Sequence, residues 1–213
     1  MRSIALDSLA DDRVYKILCS LVVPRPIALV STMSAEGVVN AAPFSFFNVF
    51  SEAPPLVVLG LQHKADHSPK DTTRNIAATG DFVVNLVDEP LADAMNACAT
   101  DFPAGVSEVS AVGLTTAASD KVRPPRIAEA PAALECVREL SLNFGPQREL
   151  LIGRVLHVHV REDVMDERFN VDMARYRPVG RLFGNLYARQ QEVFGLERVD
   201  HAAWAAGKRP AGL

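Results

Sequence analysis

The segment from Ser68 to Thr72 concentrates the hydrogen-bond donors that an anion needs. Its pattern is typical of a helix start, where free backbone amides and the positive end of the helix dipole face a ligand. Lys70, Thr72 and Arg74 add side-chain donors of the kind that bind phosphate. Because a charged first turn is commonly only solvated, the pattern leaves two interpretations open, a phosphate site and a solvated surface turn.

A second stretch, residues 40–48, mixes hydrogen-bonding groups with flat apolar side chains. Asn40 and Ser45 are interleaved with Phe44, Phe46 and Phe47. Such a mixture suits a planar ligand that is held by its polar rim and covered on its face. The three phenylalanines could equally plug the end of a barrel, and composition alone does not separate the two interpretations.

Other kinds of chemistry lack their sequence patterns. The chain has no G-x-G-x-x-G after a strand, no Walker-type lysine loop and no G-x-S-x-G elbow. His63 and His67 precede the predicted helix without a third ligand at a suitable spacing, so we expect a solvated or ligand-facing loop and no metal site. His157 and His159 share one face of a predicted strand, where we expect a hydrogen-bonded exterior or a subunit contact.

The donors of residues 68–74 are positioned by a predicted helix. Ser68 is the predicted N-cap, Pro69 fills the first helical position, where its missing amide hydrogen costs nothing, and Asp71 completes a capping box. Gly80 can close the C-terminus in the left-handed conformation. Three more helices are predicted at residues 12–21, capped by Asp11 or Asp12, and at about 90–98 and 106–112.

Apolar runs between the polar motifs predict five or six strands. Residues 27–30 and 38–39 form a hairpin around a turn at Ser34 to Gly37. The remaining strands are predicted at 56–61, 82–87, 133–144 and 150–160. Alternation in the first of the last two strands places Glu135, Glu139 and Asn143 on one face and, with Arg138 as the exception, these apolar side chains on the other: Leu134, Cys136, Leu140, Leu142 and Phe144. In the last strand the side chains predicted inward are Ile152, Leu156, Val158 and Val160.

These elements predict a mostly β fold with peripheral helices, closed into a small antiparallel barrel because closure removes exposed sheet edges. We expect one domain over residues 1–197. Residues 198–213 are rich in Ala, Gly and Pro, and we expect a C-terminal tail that is mobile or docked on a partner subunit.

Composition excludes several classes of protein. The 213 residues, 48% of them hydrophobic, suit one buried domain. A net charge of −4 and a pI near 5.7 argue against nucleic-acid binding. No apolar run reaches membrane-spanning length and the N-terminus lacks a secretory pattern, so we expect a cytoplasmic protein. Cys19, Cys98 and Cys136 are expected to be small buried hydrophobes.

Three motifs occur in an order that is similar to a known family. They are VVPRPIALVST at 22–32, G-x-x-N-A-A-P-F-S-F-F-N at 37–48 and KDTTRN at 70–75. From about Tyr15 to about Gly195 the chain resembles the flavin reductase-like family, the FMN-binding split barrels. That family includes reductase components of two-component flavin monooxygenases and flavoredoxins. The resemblance implies a six-stranded Greek-key split β-barrel that binds FMN.

The resemblance also implies a set of cofactor contacts. A flavin mononucleotide needs a phosphate anchor at one end and polar groups around its ring edge. Ser31 and Arg181 are further candidates for contacts with the ring edge. The residue that matches Phe183 is commonly glycine in the family, so the larger side chain could narrow the space above the ring. The positions that match the family's FMN contacts are Thr32, Asn40, Ser45, Phe46, Lys70, Asp71 and Thr72.

The implied activity is hydride transfer from NADH or NADPH to FMN, for which no catalytic side chain is required because the isoalloxazine carries the redox chemistry. No ribose-discriminating motif separates NADH from NADPH. The resemblance further implies a homodimer, with a monooxygenase or another electron acceptor as partner. The alternative is a non-catalytic FMN protein, an electron-transfer carrier or a flavin-binding module.

Overall fold

One antiparallel sheet carries the fold in the computed structural model, which describes residues 1–103, 105–190 and 192–208. The strands are β1 (Ala28–Met33), β2 (Val39–Phe44), β3 (Phe47–Glu52), β4 (Pro55–Gln62), β5 (Asp81–Leu86), β6 (Thr116–Ala117), β7 (Arg126–Ile127), β8 (Ala132–Asn143), β9 (Arg148–Val160), β10 (Val179–Arg181) and β11 (Tyr187–Arg189). The helices are α1 (Asp11–Leu21), α2 (Asp71–Thr79), α3 (Ala92–Ala97), α4 (Glu108–Ala111), α5 (Met173–Tyr176) and α6 (His201–Ala205).

The main sheet is curled but not closed. Its seven strands follow the order β2-β1-β5-β8-β9-β4-β3, so β2 and β3 lie on opposite edges. Only Ser45 and Phe46 separate these two strands in sequence, and the Gly60 amide of β4 donates to the Phe46 carbonyl over 2.7 Å. The two edges therefore approach each other at this corner, as a split barrel requires. The sequence predicted six strands at most, because the segment that forms β3 was assigned to a loop.

The interior of the curled sheet holds the main apolar core. A methyl group at Gly153 of β9 would lie 2.3 Å from Cζ of Phe82, so only glycine lets that fully buried ring cross the strand. The core residues are Ala28, Val30, Phe47, Val57, Leu59, Leu61, Ile76, Phe82, Val84, Cys136 and Leu151.

Two β-bulges, one at Leu156 of β9 and one at Glu139 of β8, change the faces predicted for the β8–β9 hairpin. The register shifts between Glu135 and Cys136 and again between Arg138 and Leu140. Each extra residue exchanges the two faces of the strand that follows it. These side chains, predicted on the apolar face, are consequently at least 41% exposed: Leu140, Leu142, Phe144, Leu156 and Val158. Glu135 lies on the face opposite Cys136, as predicted, but it is fully buried because the loop between β6 and β7 covers it.

The helix starts also differ from the prediction. Helix α2 begins at Asp71 with Lys70 as its N-cap, two residues after the predicted cap. The Ser68 amide and hydroxyl instead donate to Asp66 Oδ1 at 2.9 and 2.6 Å, so Ser68 belongs to the preceding turn. Gly80 does close the helix with φ of 79°. Helix α1 is preceded by Ala10 and has no side-chain cap.

The remaining helices are short. Helix α3 starts at Ala92, a little later than predicted, and α4 falls within the predicted region 106–112. The predicted tail contains α6 in its described part, and residues 209–213 lie outside the described residues. Within the described ranges, no helix combines the length and apolarity needed to cross a membrane.

Candidate functional site

One pocket joins the two polar motifs that the sequence singled out. It has a volume of about 890 Å³ and lies between the start of α2, the β2–β3 corner and the first residues of β9. This volume is within the range of ligand pockets. Six of the nine predicted contact residues line it: Asn40, Ser45, Phe46, Lys70, Asp71 and Thr72.

A hydrogen-bonded chain connects β2 with α2 and α4 at the pocket wall. In the amide orientation that satisfies both ends of Asn40, its side-chain oxygen accepts from Thr72 Oγ1 over 3.0 Å. Its nitrogen donates to Glu108 Oε1 over 3.1 Å. Glu108 Oε2 accepts from the Ala41 amide, also over 3.1 Å. Because Asn40 and Thr72 are 7% and 2% exposed, this chain fixes the helix start against the strand.

Ser31 and Thr32, two of the predicted contacts, do not line this pocket. Both side chains are fully buried. The Ser31 hydroxyl donates to the Pro125 carbonyl over 2.7 Å, and Thr32 Oγ1 accepts from the side-chain amide of Asn75 over 3.0 Å. These side chains stabilise the elements behind the pocket wall. Their strand, β1, lies between β2 and β5 in the sheet, and the sequence alone does not predict that position.

The start of α2 provides an anion-binding arrangement. The amides of its first turn have no intrahelical acceptor, and Lys70 is exposed beside them at the pocket wall. Asp71 is also on the wall, but its carboxylate forms an ion pair with Arg74 one turn along. Arg74 therefore balances the charge of Asp71. Of the two predicted cationic donors, Lys70 is the one that lines the pocket.

Arg25 holds the β2–β3 corner in place. Its guanidinium donates to three carbonyls, those of Cys19 at 2.7 Å, Val22 at 2.9 Å and Leu182 at 2.9 Å. Its Nε also contacts Ser45 Oγ at 3.4 Å. Arg25 is only 7% exposed and thus ties the corner to the end of α1 and to the loop after β10. Sequence reasoning quoted this arginine in a motif but assigned it no role.

An aromatic row covers one side of the pocket. Phe46 is 44% exposed and its ring centroid lies 6.4 Å from that of Tyr15, which also lines the pocket. A methyl group at Gly60 would lie 2.8 Å from Cβ of Phe46, so this glycine allows the ring its position. Phe183 lies 6.3 Å from Tyr15, outside the wall formed by the described residues. Phe183 therefore contacts Tyr15, which lines the pocket, and does not line the pocket itself.

Arg181 is held away from the pocket. Its guanidinium donates to the Tyr187 hydroxyl and to the Gly184 carbonyl, and it lies 4.6 Å from the Tyr187 ring centroid. Tyr187 in turn donates to Asn96 Oδ1 over 2.8 Å. In this arrangement Arg181 stabilises the β10–β11 hairpin, and its contact with a flavin stays a prediction.

Glu108 and His63 line the pocket although sequence reasoning gave neither a defined role there. Burial raises the pKa of Glu108 against the opposing effect of its backbone hydrogen bonds. The His63 ring is fixed by the Pro146 carbonyl at 3.1 Å and by Glu149 at 3.4 Å. Glu108 lies in a segment rich in Ser, Ala, Pro and Gly, whose pattern does not reveal which side chain turns toward β2.

Comparisons with known proteins agree with this geometry. Residues 20–181 match the family model described as flavin reductase like domain. An uncharacterized protein of Halalkalibacterium halodurans is 43% identical over 197 residues, which cover 90% of this chain and 94% of that protein.

Two solved structures are also similar. Nitrilotriacetate monooxygenase component B from Bacillus cereus superimposes with a TM-score of 0.88 and 36% identity, covering 92% of this chain and 98% of that one. The 2-nitrobenzoate 2-nitroreductase of Pseudomonas fluorescens gives a TM-score of 0.86 and 37% identity over 94% and 98% of the two chains. The predicted split-barrel fold is thus confirmed, and the chain belongs to the flavin reductase-like family.

Proposed function

We propose that this protein binds FMN in the pocket between α2 and the β2–β3 corner and acts as an NAD(P)H-dependent flavin reductase. The observation that carries the proposal is the Asn40–Thr72 contact, which unites an anion-binding helix start and an aromatic-lined corner in one pocket. FMN needs an anion-binding group at its phosphate end and an apolar, aromatic surface at its ring end.

The phosphate end fits the start of α2. A helix start offers backbone amides and a positive dipole end to an anion, and the Lys70 ammonium adds a mobile positive charge. The Asp71–Arg74 ion pair offsets the one carboxylate of this turn. The net electrostatic effect favours a phosphate group.

The ring end fits the β2–β3 corner. Phe46 and Tyr15 offer apolar surface to an aromatic plane, and Ser45 with the exposed backbone of the corner offers hydrogen bonds to a polar rim. Arg25 and Gly60 preset this corner through the contacts described above. A preset site lowers the entropic cost of binding.

When bound, FMN supplies the group that accepts a hydride and passes electrons on. The side chains of this chain bind, orient and shield it, and none is required as a general acid or base. Glu108, whose pKa is raised by burial, keeps the hydrogen bonds from Asn40 and Ala41 that shape the wall. We accordingly propose that turnover is independent of metal ions.

The partner proposal draws on the neighbouring structures. One is a monooxygenase component, which supports delivery of reduced flavin to an oxygenase. The other is named as a nitroreductase, which supports a second candidate function in which bound flavin reduces a small nitroaromatic acid directly. Release of reduced flavin from the protein would support the first function. Reduction of a nitroaromatic acid without release of flavin would support the second.

We also propose a homodimer, for which an apolar outer strip of the sheet provides the surface. Leu140 and Leu142 of β8 lie opposite Ile152 and Leu150 of β9, and Ile152 lies opposite Val58 of β4. Residues directly opposite each other share a sheet face. Leu140 and Leu142 are 47% and 41% exposed, and Leu150 also lines the pocket, so a second copy on this strip would reach the flavin site.

The experiment is to saturate the purified protein with FMN and add NADH or NADPH without oxygen. We expect a flavin absorption band on binding and its bleaching by at least one of the two nucleotides. A protein that is colourless after incubation with excess FMN and removal of the unbound FMN would contradict the proposal. A yellow protein that neither nucleotide bleaches would instead support the non-catalytic electron-transfer alternative.

A further inference from the structure

Three side chains outside the flavin pocket bring metal-ligating atoms together. His157 Nε2 lies 3.3 Å from Asp120 Oδ2, and His159 Nε2 lies 3.6 Å from the same oxygen. All three ligand atoms are within 4.8 Å of one another. A tetrahedral ion with bonds of about 2.0 Å separates its ligand atoms by about 3.3 Å, so two of the three separations are already close to the required value.

The fold presets this arrangement. His157 and His159 are two residues apart on β9, so both imidazoles project from one face, with ring centroids 4.8 Å apart. Asp120 lies in the loop between β6 and β7. The amides of Asp120 and Lys121 donate to the buried Glu135 carboxylate over 2.8 and 2.6 Å, which holds this loop against the sheet beside the two rings.

The electrostatics favour a cation. Asp120 contributes one carboxylate directly, and Glu135 contributes a second, fully buried one that accepts from His159 Nε2 over 2.6 Å. With both imidazoles neutral, the cluster carries two negative charges around a ligand set of two nitrogens and one oxygen.

We propose that Asp120, His157 and His159 bind one divalent first-row transition ion, of which Zn²⁺ is the typical occupant. Two imidazoles and one carboxylate suit zinc and its neighbours, whereas magnesium and calcium prefer oxygen ligands throughout. To bind, His159 Nε2 exchanges its hydrogen bond to Glu135 for the metal, and the proton of this neutral ring moves from Nε2 to Nδ1. Water can complete the coordination, because Asp120 is largely exposed.

The role of this ion would be structural rather than catalytic. Glu149 and Leu150 at the start of β9 line the flavin pocket, and His157 follows eight residues after Glu149 on the same strand. At about 3.3 Å per strand residue this is a separation of roughly 25 Å. An ion here would clamp the β6–β7 loop to β9 without contacting the flavin.

The test is calorimetric titration of the chelator-treated, dialysed protein with ZnCl₂, with Co²⁺ absorption as a report of coordination. We expect one ion per chain and an intense visible Co²⁺ spectrum, typical of four ligands. Because loss of even an outer-shell partner weakens metal sites about ten- to a hundred-fold, His157→Asn and Asp120→Asn should each weaken zinc binding at least ten-fold. His201→Asn, which changes an exposed histidine of α6, should leave it unchanged.

Circular dichroism of each variant separates lost binding from lost folding. Asp120→Asn keeps the backbone hydrogen bond to Glu135, so it remains a fair test even if His157→Asn unfolds the hairpin. Absence of stoichiometric zinc binding to the wild type overturns the proposal, and so does equal zinc affinity of wild type and folded Asp120→Asn. FMN binding stays unchanged in all variants, so this result is independent of the flavin proposal.

Discussion

The side-chain oxygen of Asn40 on β2 accepts a hydrogen bond from Thr72 Oγ1 in the first turn of α2, over 3.0 Å, and both side chains are buried. Thr72→Val keeps the shape of the side chain but leaves the Asn40 oxygen without this donor. The oxygen keeps its contact with the Ala41 amide at 3.3 Å, so the loss is that of one hydrogen bond, about 0.5–1.5 kcal/mol. We therefore expect Thr72→Val to lower the free energy of unfolding by about that amount, measured by urea denaturation.

Thr72→Ser is the matched control for this change. It keeps the hydroxyl and loses one methyl group, so it should remain closer to the wild type than Thr72→Val. The Thr72→Val protein should also bind FMN more weakly, because the helix start is no longer fixed against β2. Equal stability of the valine variant and the wild type would show that the contact does not hold the wall together.

Glu135 predicts a specific dependence of stability on pH. Desolvation raises its pKa, but the hydrogen bonds from the Asp120 amide, His159 and the Lys121 amide outweigh it, so the folded pKa lies below the ordinary value of 4.5. For a depressed pKa, the stabilisation is complete above the unfolded pKa and is lost as pH falls through the folded pKa. Glu135→Gln should thus be less stable by about 1–3 kcal/mol near neutral pH.

The stability difference between Glu135→Gln and wild type should shrink as the pH falls below about 4.5, because the wild-type carboxylate then becomes protonated. Urea denaturation over a pH series measures it. Glu139→Gln is the control: its carboxylate pairs with Arg154 on the surface at 2.5 Å, and such pairs contribute at most about 1 kcal/mol. A gap that stays constant from neutral to acidic pH would contradict the assignment.

The same residue shows where sequence reasoning reaches its limit. Apolar alternation correctly predicts the β8–β9 hairpin, but it assumes an unbroken period of two, and the bulges at Glu139 of β8 and Leu156 of β9 break that period. Leu142 is therefore outside, whereas Glu135 keeps its predicted face and is buried because the β6–β7 loop covers it. Bulges arise from pairing with neighbouring strands and leave no clear local signature in a single sequence.

The parts of the site that the sequence predicts are those whose backbone conformation depends on neighbouring residues in the chain. The polar-aromatic corner and the start of α2 each contribute residues that line the pocket, such as Phe46 and Lys70. Ser31, one residue of a quoted motif, is instead buried between strands, and Glu108 reaches the wall from a segment with no periodic pattern. Both outcomes depend on tertiary packing between elements far apart in the chain, which motif spacing does not encode.

The exposed strip of β8 predicts the effect of a charge in the proposed homodimer interface. Leu142 is 41% exposed on the outer face, so a lysine there costs little in a monomer but would be desolvated in a dimer. We expect the wild type to elute at twice its 23.1 kDa chain mass in light-scattering chromatography and Leu142→Lys to move toward the monomer mass.

Val106→Lys is the control for the dimer experiment, because Val106 is similarly exposed, at 43%, but lies outside this strip. It should remain dimeric. FMN affinity should fall in Leu142→Lys as well, since Phe144 and Leu150 belong to the pocket wall beside the strip. A monomeric wild type at micromolar concentration would remove the basis of the homodimer proposal.

Lys70 decides whether the start of α2 anchors a phosphate or is a solvated turn. It is exposed, lines the pocket and precedes the first helical residue. If it binds the phosphate of FMN, Lys70→Ala removes a charge-assisted contact of about 1.5–3 kcal/mol, which is about ten- to a hundred-fold in affinity. Riboflavin lacks the phosphate, so its affinity should hardly change, and the wild-type preference for FMN should fall with rising salt.

Fluorescence titration of both flavins against wild type, Lys70→Ala and Lys121→Ala makes the comparison. Lys121 is exposed, does not line the pocket, and contributes only its backbone amide to Glu135, so its alanine variant should bind both flavins like the wild type. Unchanged FMN affinity in Lys70→Ala would mean that the lysine is only solvated. Equal losses for FMN and riboflavin would instead mean that the substitution damaged the pocket itself, because only a phosphate contact can discriminate between two ligands that share the same ring.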